Sequence, residues 1–162
     1  MDARIRAIRR FYARKGKVHK PVCTTFRILV DTREQRPYLF SNSAQATLST
    51  GDYTVEGYAR KIALERKGMD DLFHCLTIAK VRFKEQLKRL SFYLHKAVII
   101  DSTPDTIMGG HGFCRLSGYD ALTRIRRYTS DVDVPLIFAG GNGPIVAARW
   151  LTEAWKQLNG QG

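Results

Sequence analysis

An isolated aspartate, followed downstream by a glutamate and a lysine one residue apart, is a set of side chains suited to metal-dependent phosphodiester cleavage. The chain presents it as Gly51-Asp52-Tyr53, then Glu65-Arg66-Lys67, then Asp71. Residues 60 to 67 predict a β-strand, and the two-residue period of a strand puts Glu65 and Lys67 on one face. Asp52, at the end of the preceding strand or turn, can close on that face from the side. Two carboxylates then offer oxygen ligands to a hard divalent ion, Mg²⁺ most simply, with Mn²⁺ able to take its place. Lys67, a compact charge beside such an ion, can orient the attacking water or help deprotonate it. The competing reading is plain: Asp, Glu and Lys on a strand also make an ordinary solvated face. Upstream, Ile28-Leu29-Val30-Asp31-Thr32-Arg33-Glu34 is a short apolar run ending in charge, as a buried strand delivering polar groups to a site would be. Asp31 could add a third carboxylate and Arg33 a phosphate-holding fork. An ordinary strand terminus with a turn at Arg36-Pro37 fits that segment equally.

In combination these residues resemble the ERCC4-type nuclease domain of the XPF/Mus81/Hef structure-specific endonucleases. The family pattern, Gly-Asp, a variable gap, Glu-Arg-Lys, three residues, Asp, stands here as Gly51-Asp52, Glu65-Arg66-Lys67, Gly68-Met69-Asp70 and Asp71. The strand leading into Asp-x-Arg-Glu is matched by Val30 to Glu34. The family helix is matched by Arg82 to Leu90, and the strand after it by Ala97 to Asp101. The likeness covers roughly residues 25 to 157. It implies a restriction-endonuclease-like fold and a Mg²⁺-dependent endodeoxyribonuclease acting on branched DNA such as flaps and forks, in repair, recombination or phage replication. It also implies a catalytic set of Asp31, Arg33, Asp52, Glu65, Arg66, Lys67 and Asp71. In that set Asp52 and Glu65 ligate the metal together with the backbone carbonyl of Arg66, while Asp31 binds it directly or through water. Lys67 handles the nucleophilic water, and Arg33 and Arg66 steady the phosphate. Strand alternation turns Arg66 away from Glu65, so a structural ion pair suits Arg66 as well. Asp71 would reach back to Lys67 or Arg66, or cap the positive end of its helix. The sequence departs from the family at Val81, where Gly is frequent. It also ends at Gly162 without the tandem helix-hairpin-helix module of eukaryotic and archaeal members. It thus looks like the stand-alone bacterial and phage versions, for which an intracellular, nucleoid-associated setting is expected.

Composition agrees with an anionic partner. The 162 residues carry a formal net charge of +12, beyond what solubility needs and typical of nucleic-acid binding. Much of it lies in residues 1 to 22, a predicted basic arm before a domain at 23–162. There Arg4, Arg6, Arg9, Arg10, Arg14, Lys15, Lys17 and Lys20 face only Asp2. Arg9 and Arg10, with Arg33, Lys84 and Lys88, are the candidate DNA contacts; a merely solubilising arm is the alternative. Cys23, Cys75 and Cys114 include no Cys-x-x-Cys pair, and their odd number argues against a disulfide framework; His111 and Cys114 stand at a metal-like spacing but lack the two further ligands zinc needs. No apolar run approaches the ~20 residues of a membrane span.

The elements that must position these groups follow from periodicity. Residues 4 to 14 suggest a short basic helix and Phe26 to Asp31 a strand. A second strand is expected over Ala46 to Ser49. Tyr53–Val55 and Ala59–Arg66 form an expected hairpin turning at Glu56-Gly57. A helix opens after Gly68. Another runs from Lys80 to about Leu94, with Val81, Leu87, Leu90 and Leu94 as its apolar side and Lys84, Lys88 and Arg89 basic. Ala97–Ile100 reads as a central strand, and Ser102–Ser117 as a mobile surface loop. Tyr119–Tyr128 is an expected helix, Pro135–Ala139 a buried strand, and the segment after Gly143 a last helix ending near Leu158. Together they predict a mixed α/β sheet flanked by helices, parallel in its second half, with the hairpin as an antiparallel edge. Trp150 and Trp155 on the last helix suit core packing better than a homodimer interface.

Overall fold

Short apolar runs make the strands β1 (Ile28–Asp31), β3 (Tyr53–Val55), β4 (Ile62–Lys67), β5 (His95–Ile100) and β6 (Leu136–Phe138), while β2 (Ser43–Ala46) is a strand through its pairing with β1. The computed structural model describes residues 21–112 and 114–160. The basic arm, with Arg9 and Arg10, lies outside them except at its last two positions. There Val22 already bridges Phe40 and packs on the core. The strands form one six-stranded sheet in the order β2-β1-β3-β4-β5-β6. β1 pairs parallel with β2, β4 with β5, and β5 with β6, while β3 runs antiparallel to both β1 and β4. The antiparallel strand therefore sits in the middle, not at an edge as expected. The hairpin from β3 to β4, connected through Glu56 to Lys61, is flanked by β1 on one side and β5 on the other, because β3 also pairs with β1 and β4 with β5.

Among the described residues five helices cover the sheet: α1 (Met69–Leu76), α2 (Lys80–Ser91), the short α3 (Pro104–Met108), α4 (Gly118–Ser130) and α5 (Gly143–Leu158). On one face α5 lays Ala147, Ala148, Leu151 and Ala154 against Ile28, Val30, Tyr53, Ile62, Leu64 and Ile99. Small residues at helical spacing let its backbone come close. Trp150 and Trp155 pack against this core, Trp155 meeting Phe26 at 5.3 Å between ring centroids, which is the core role. On the other face Leu72, Phe73 and Leu76 of α1, Phe83, Leu87 and Leu90 of α2, and Ala121, Leu122 and Ile125 of α4 cover Ala63, Val98 and Ile100. Burial of each large side chain contributes about 1.5–3 kcal/mol. Covered on both faces, β4 and β5 read as continuous apolar runs, as buried parallel strands do.

Several local expectations change. β2 occupies Ser43–Ala46, earlier than the expected Ala46–Ser49, because it pairs in register with Ile28 to Asp31 and Leu48 instead turns inward to give its amide to Asp31. α2 ends at Ser91, and Val81 and Leu94 stand 70% and 66% exposed, so Phe83 takes the core place assigned to them. β6 is a half-buried edge strand. The stretch expected to be a mobile loop contains α3, N-capped by Thr103, with Ile107 fully buried. Beyond it His111 Nε2 lies 2.8 Å from Asp70 Oδ1 and its ring stacks on Phe73, which anchors the segment to α1.

Candidate active site

Because every strand but β3 runs the same way, the carboxyl ends of β1, β4 and β5 and the start of β3 meet at one edge of the sheet, where α/β sheets commonly bind ligands. Val30, Tyr53 and Leu64 all point into the core under α5. Alternation then sends their neighbours Asp31, Asp52, Glu65 and, two further on, Lys67 to the opposite face. There they line a cleft of about 820 Å³. Arg33, Arg66 and Asp71 line it too, so all seven residues expected to be catalytic border one space. Gly51 makes the approach possible: it adopts φ +81, and a Cβ there would sit 3.2 Å from the Leu64 carbonyl oxygen. With no side chain in the way, the Asp52 amide donates to that carbonyl at 2.9 Å and hangs the carboxylate beside Glu65.

The three acids differ in their partners. Asp31 is 1% exposed and fully satisfied. Its Oδ1 accepts from the Arg33 amide and Nε, both at 2.8 Å, and its Oδ2 from Arg33 Nη2 at 3.0 Å and the Leu48 amide at 2.8 Å. Burial would raise its pKa, but the hydrogen bonds from Arg33 and Leu48 and the guanidinium charge prevail and hold it below the usual carboxylate range. Four accepted bonds occupy the lone pairs of Asp31, so of the two expected routes to a cation, direct or through water, this arrangement leaves no free oxygen for the direct one. It braces Arg33 instead. Arg33 Nη2 also donates to the Leu48 carbonyl, leaving both N–H groups of Nη1 for a ligand.

Glu65 and Asp52 are under-supplied. Glu65 is 2% exposed; its Oε1 accepts from Lys67 Nζ at 2.6 Å, while its Oε2 is buried with no hydrogen-bond partner among the described residues. Asp52 Oδ2 accepts from the Arg66 amide at 2.7 Å. Burial, and next the charge of Glu65, push the Asp52 carboxyl up to about 8. Burial opposes the charge on Lys67, but Glu65 outweighs it and keeps the ammonium above its ordinary range. Lys67 is therefore a charged donor to Glu65. Among the described residues no three His, Cys, Asp or Glu side chains converge to hold a metal by themselves. Two carboxylates suit Mg²⁺ in particular, which keeps several waters and commonly takes one or two carboxylates plus substrate phosphates. The orphaned Glu65 oxygen and the Asp52 carboxyl that burial disfavours as an anion are donors that such a cation would complete.

Arg66 behaves as the ion-pair reading required. It turns to the α5 side, donating from Nε to Asp101 Oδ2 at 2.7 Å, reaching Glu34 Oε1 at 3.5 Å, and lying 4.6 Å over the Tyr38 ring. The Tyr38 hydroxyl donates to Asp101 Oδ1 in turn. Gly143, at the start of α5, packs into this cluster; a Cβ there would lie 2.4 Å from Asp101 Oδ1 and from the Tyr38 hydroxyl. Asp71 stands in the first turn of α1, where it complements the helix's positive end. Among the described residues it pairs with neither Lys67 nor Arg66.

The basic wall also differs from expectation. Lys84 Nζ lies 4.4 Å over the Tyr128 ring, away from the cleft, and neither Lys84 nor Lys88 lines it. Arg82, Gln86 and Arg89 do. Their four- and three-residue spacing is one helix face, adjacent to the core face of Phe83, Leu87 and Leu90, and fixing those core positions first would have revealed it. Tyr38 and Asp101, 63 residues apart, carried no sequence signal for their contact.

No protein-family model and no curated protein matches the sequence. Among solved structures the fold is similar to that of XPF from Aeropyrum pernix, with 20% identity, a TM-score of 0.61, and 82% of this chain and 67% of that chain covered. It is also similar to XPF from Aeropyrum pernix in complex with DNA, with 21% identity, a TM-score of 0.62, and 82% and 66% covered. The mixed sheet with helices on both faces is thus the restriction-endonuclease-like fold that the sequence implied.

Proposed function

We propose that this chain is a divalent-cation-dependent endonuclease that hydrolyses DNA phosphodiester bonds in the cleft at the ends of β1, β3 and β4. The observation that carries the reading is the buried, partnerless Oε2 of Glu65 beside an Asp52 carboxyl that its surroundings disfavour as an anion. A structural role would leave neither group in that condition. A divalent cation held by Asp52 and Glu65 would supply polarisation of a phosphoryl oxygen and a more acidic water. Lys67, charged and fixed on Glu65, orients the water as a hydrogen-bond donor. Arg33, braced by Asp31, offers the free edge of its guanidinium to a phosphate oxygen. Arg82 and Arg89 hold the strand's phosphates along the opposite wall. Water adds across the diester, leaving one phosphate monoester and one hydroxyl end.

DNA as the substrate, and branched DNA in particular, is carried from the motif resemblance and from the likeness to a fold solved with DNA. A binding module that does not use this chemistry is the alternative, and the same experiment separates the two. Labelled fork, flap and linear duplex DNA are incubated with the protein in Mg²⁺, in Mn²⁺ and in EDTA. Cleavage is expected only with a cation. Loss of outer partners of a metal site costs about 10–100-fold, so Asp52→Asn or Glu65→Gln should cost more than 100-fold. DNA binding should persist in both variants. Cleavage that survives both substitutions would remove the site assignment; binding with no cleavage under any cation would leave the module.

A further inference from the structure

The motif resemblance makes Arg66 one of the residues that steady a phosphate, yet its guanidinium has little left to offer. Its Nε and Nη2 both reach Asp101 Oδ2 at 2.7 Å, its Nη1 donates to the Arg36 carbonyl, and its side chain is 16% exposed. What it does hold is the turn after β1. While Arg66 fixes the Arg36 carbonyl, Glu34 Oε1 accepts from the Arg36 amide at 2.7 Å. Pro37, next in the chain, is buried with its φ locked by the ring. The Tyr38 amide then donates to the Tyr53 hydroxyl at 2.9 Å. The backbone of Arg36 is thus pinned on both sides, and Arg36 itself is exposed and lines the cleft. Among the described residues its guanidinium makes no ion pair, hydrogen bond or ring contact. Exposed arginines are common, so the unused guanidinium matters only through its place. Arg66 turns to the α5 side, which puts the Arg36 turn on that rim of the cleft. Arg82 and Arg89 stand on α2, which packs against the other face of the sheet.

We propose that Arg36 holds a phosphate on the α5 side of the bond that is cut, opposite the phosphates held by Arg82 and Arg89, and that Arg66 positions it. The proposal rests on the nuclease reading of the cleft and moves the phosphate contact expected of Arg66 to the residue that Arg66 clips. Arg66 spends its donors on Asp101 and on the Arg36 carbonyl; Arg36 keeps its whole planar fork for a phosphate, which it can take through two parallel N–H groups. A guanidinium on a fixed backbone also loses less freedom on binding than one on a mobile loop. Because the two rims belong to opposite layers, a strand gripped by both is drawn across the cleft that Asp52 and Glu65 line. One rim alone would attract the strand without stretching it over the acids.

The test measures DNA binding by fluorescence anisotropy in EDTA over a series of salt concentrations, for the full chain, R36A, R36K, R89A and R126A. Arg126, exposed on α4 and away from the cleft, controls for the loss of one charge. R36A should weaken binding and reduce the log–log salt slope by about one, with the melting temperature unchanged and R36K restoring the slope. R126A should leave the slope within error. Single neutral methylphosphonates are then placed along the DNA. One position should weaken wild type and not R36A, another should weaken wild type and not R89A, and the bond cut by wild type in Mg²⁺ should lie between them. An R36A slope no different from that of R126A, or two responsive positions on the same side of the cut, would overturn the assignment. If wild type cuts DNA in Mg²⁺ while R36A binds it normally, only the Arg36 contact fails. Binding without cleavage under any cation would overturn the nuclease reading and leave the contact to be judged by the slope; no binding at all would overturn both.

Discussion

Asp31 and Asp52 stand on neighbouring strands, face the same cleft, and are treated by the fold in opposite ways. The end of β1 surrounds Asp31 with donors until its carboxylate has no capacity left. The start of β3 gives Asp52 one amide and places it against Glu65, whose own second oxygen has nothing. The first region is completed by the chain itself; the second is left for something the chain does not contain. A protein of this size has only about 5–15 kcal/mol of net stability, so it can leave very few buried groups in the second condition. Where it does, the deficit marks a ligand more surely than the presence of acidic residues.

Substitution should break this contrast with opposite signs. Asp31→Ala strands the buried Leu48 amide and releases Arg33, at a cost of about 1–3 kcal/mol for the lost partner, or roughly 4–8 °C in melting temperature at about 2 kcal/mol. Asp52→Asn, measured without divalent cations, should raise the melting temperature instead, because it removes a charge that the site does not stabilise. If both variants melt lower than wild type, the two carboxylates are equivalent and the comparison fails.

The pH dependence sharpens the same point. The folded pKa of Asp52 is raised, to about 8, so its contribution is intact below the ordinary carboxylate range and is lost as pH rises towards 8. Asp31 is shifted downward, so its contribution is present above that range and is lost as pH falls through its depressed value. In EDTA, the melting temperature of wild type minus that of Asp52→Asn should therefore fall between about pH 4 and pH 8. Added Mg²⁺ should flatten the slope. A difference that does not vary with pH would show that Asp52 is ionised without strain.

Smaller effects separate the two basic faces of α2. Arg82→Ala and Arg89→Ala should each weaken DNA binding and reduce the log–log salt slope by about one. Lys84→Ala and Lys88→Ala, directed away from the cleft, should leave that slope within error. The reverse ranking would move the strand to the outer face of the helix.

Much of this arrangement could be read from the chain before folding was considered. The apolar blocks at Ile28–Val30, Ile62–Leu64 and Ala97–Ile100 name the central strands, and the spacing of Asp52, Glu65 and Lys67 puts their side chains on one face. The misplaced β2 is different: Ser43–Ala46 has little strand character and is fixed by pairing with β1. Val81 and Leu94 satisfy a helical apolar pattern yet stay outside, since Phe83 fills the space between α2 and the sheet. The bracing of Asp31 by Leu48 and the contact of Tyr38 with Asp101 depend on chain crossings that no local pattern encodes. Periodicity sets which way a side chain faces; only the assembled fold decides which partner it meets.

Gly143 turns that last point into a mechanical one. A helix start pressed against Asp101 and Tyr38, with no room for even a methyl group, makes α5 a rigid backstop for Arg66 and hence for the amide that positions Asp52. Force applied to α5, by a tether, a fused partner or a substitution at residue 143, would be transmitted from behind to Arg66 and so to the Asp52 carboxylate.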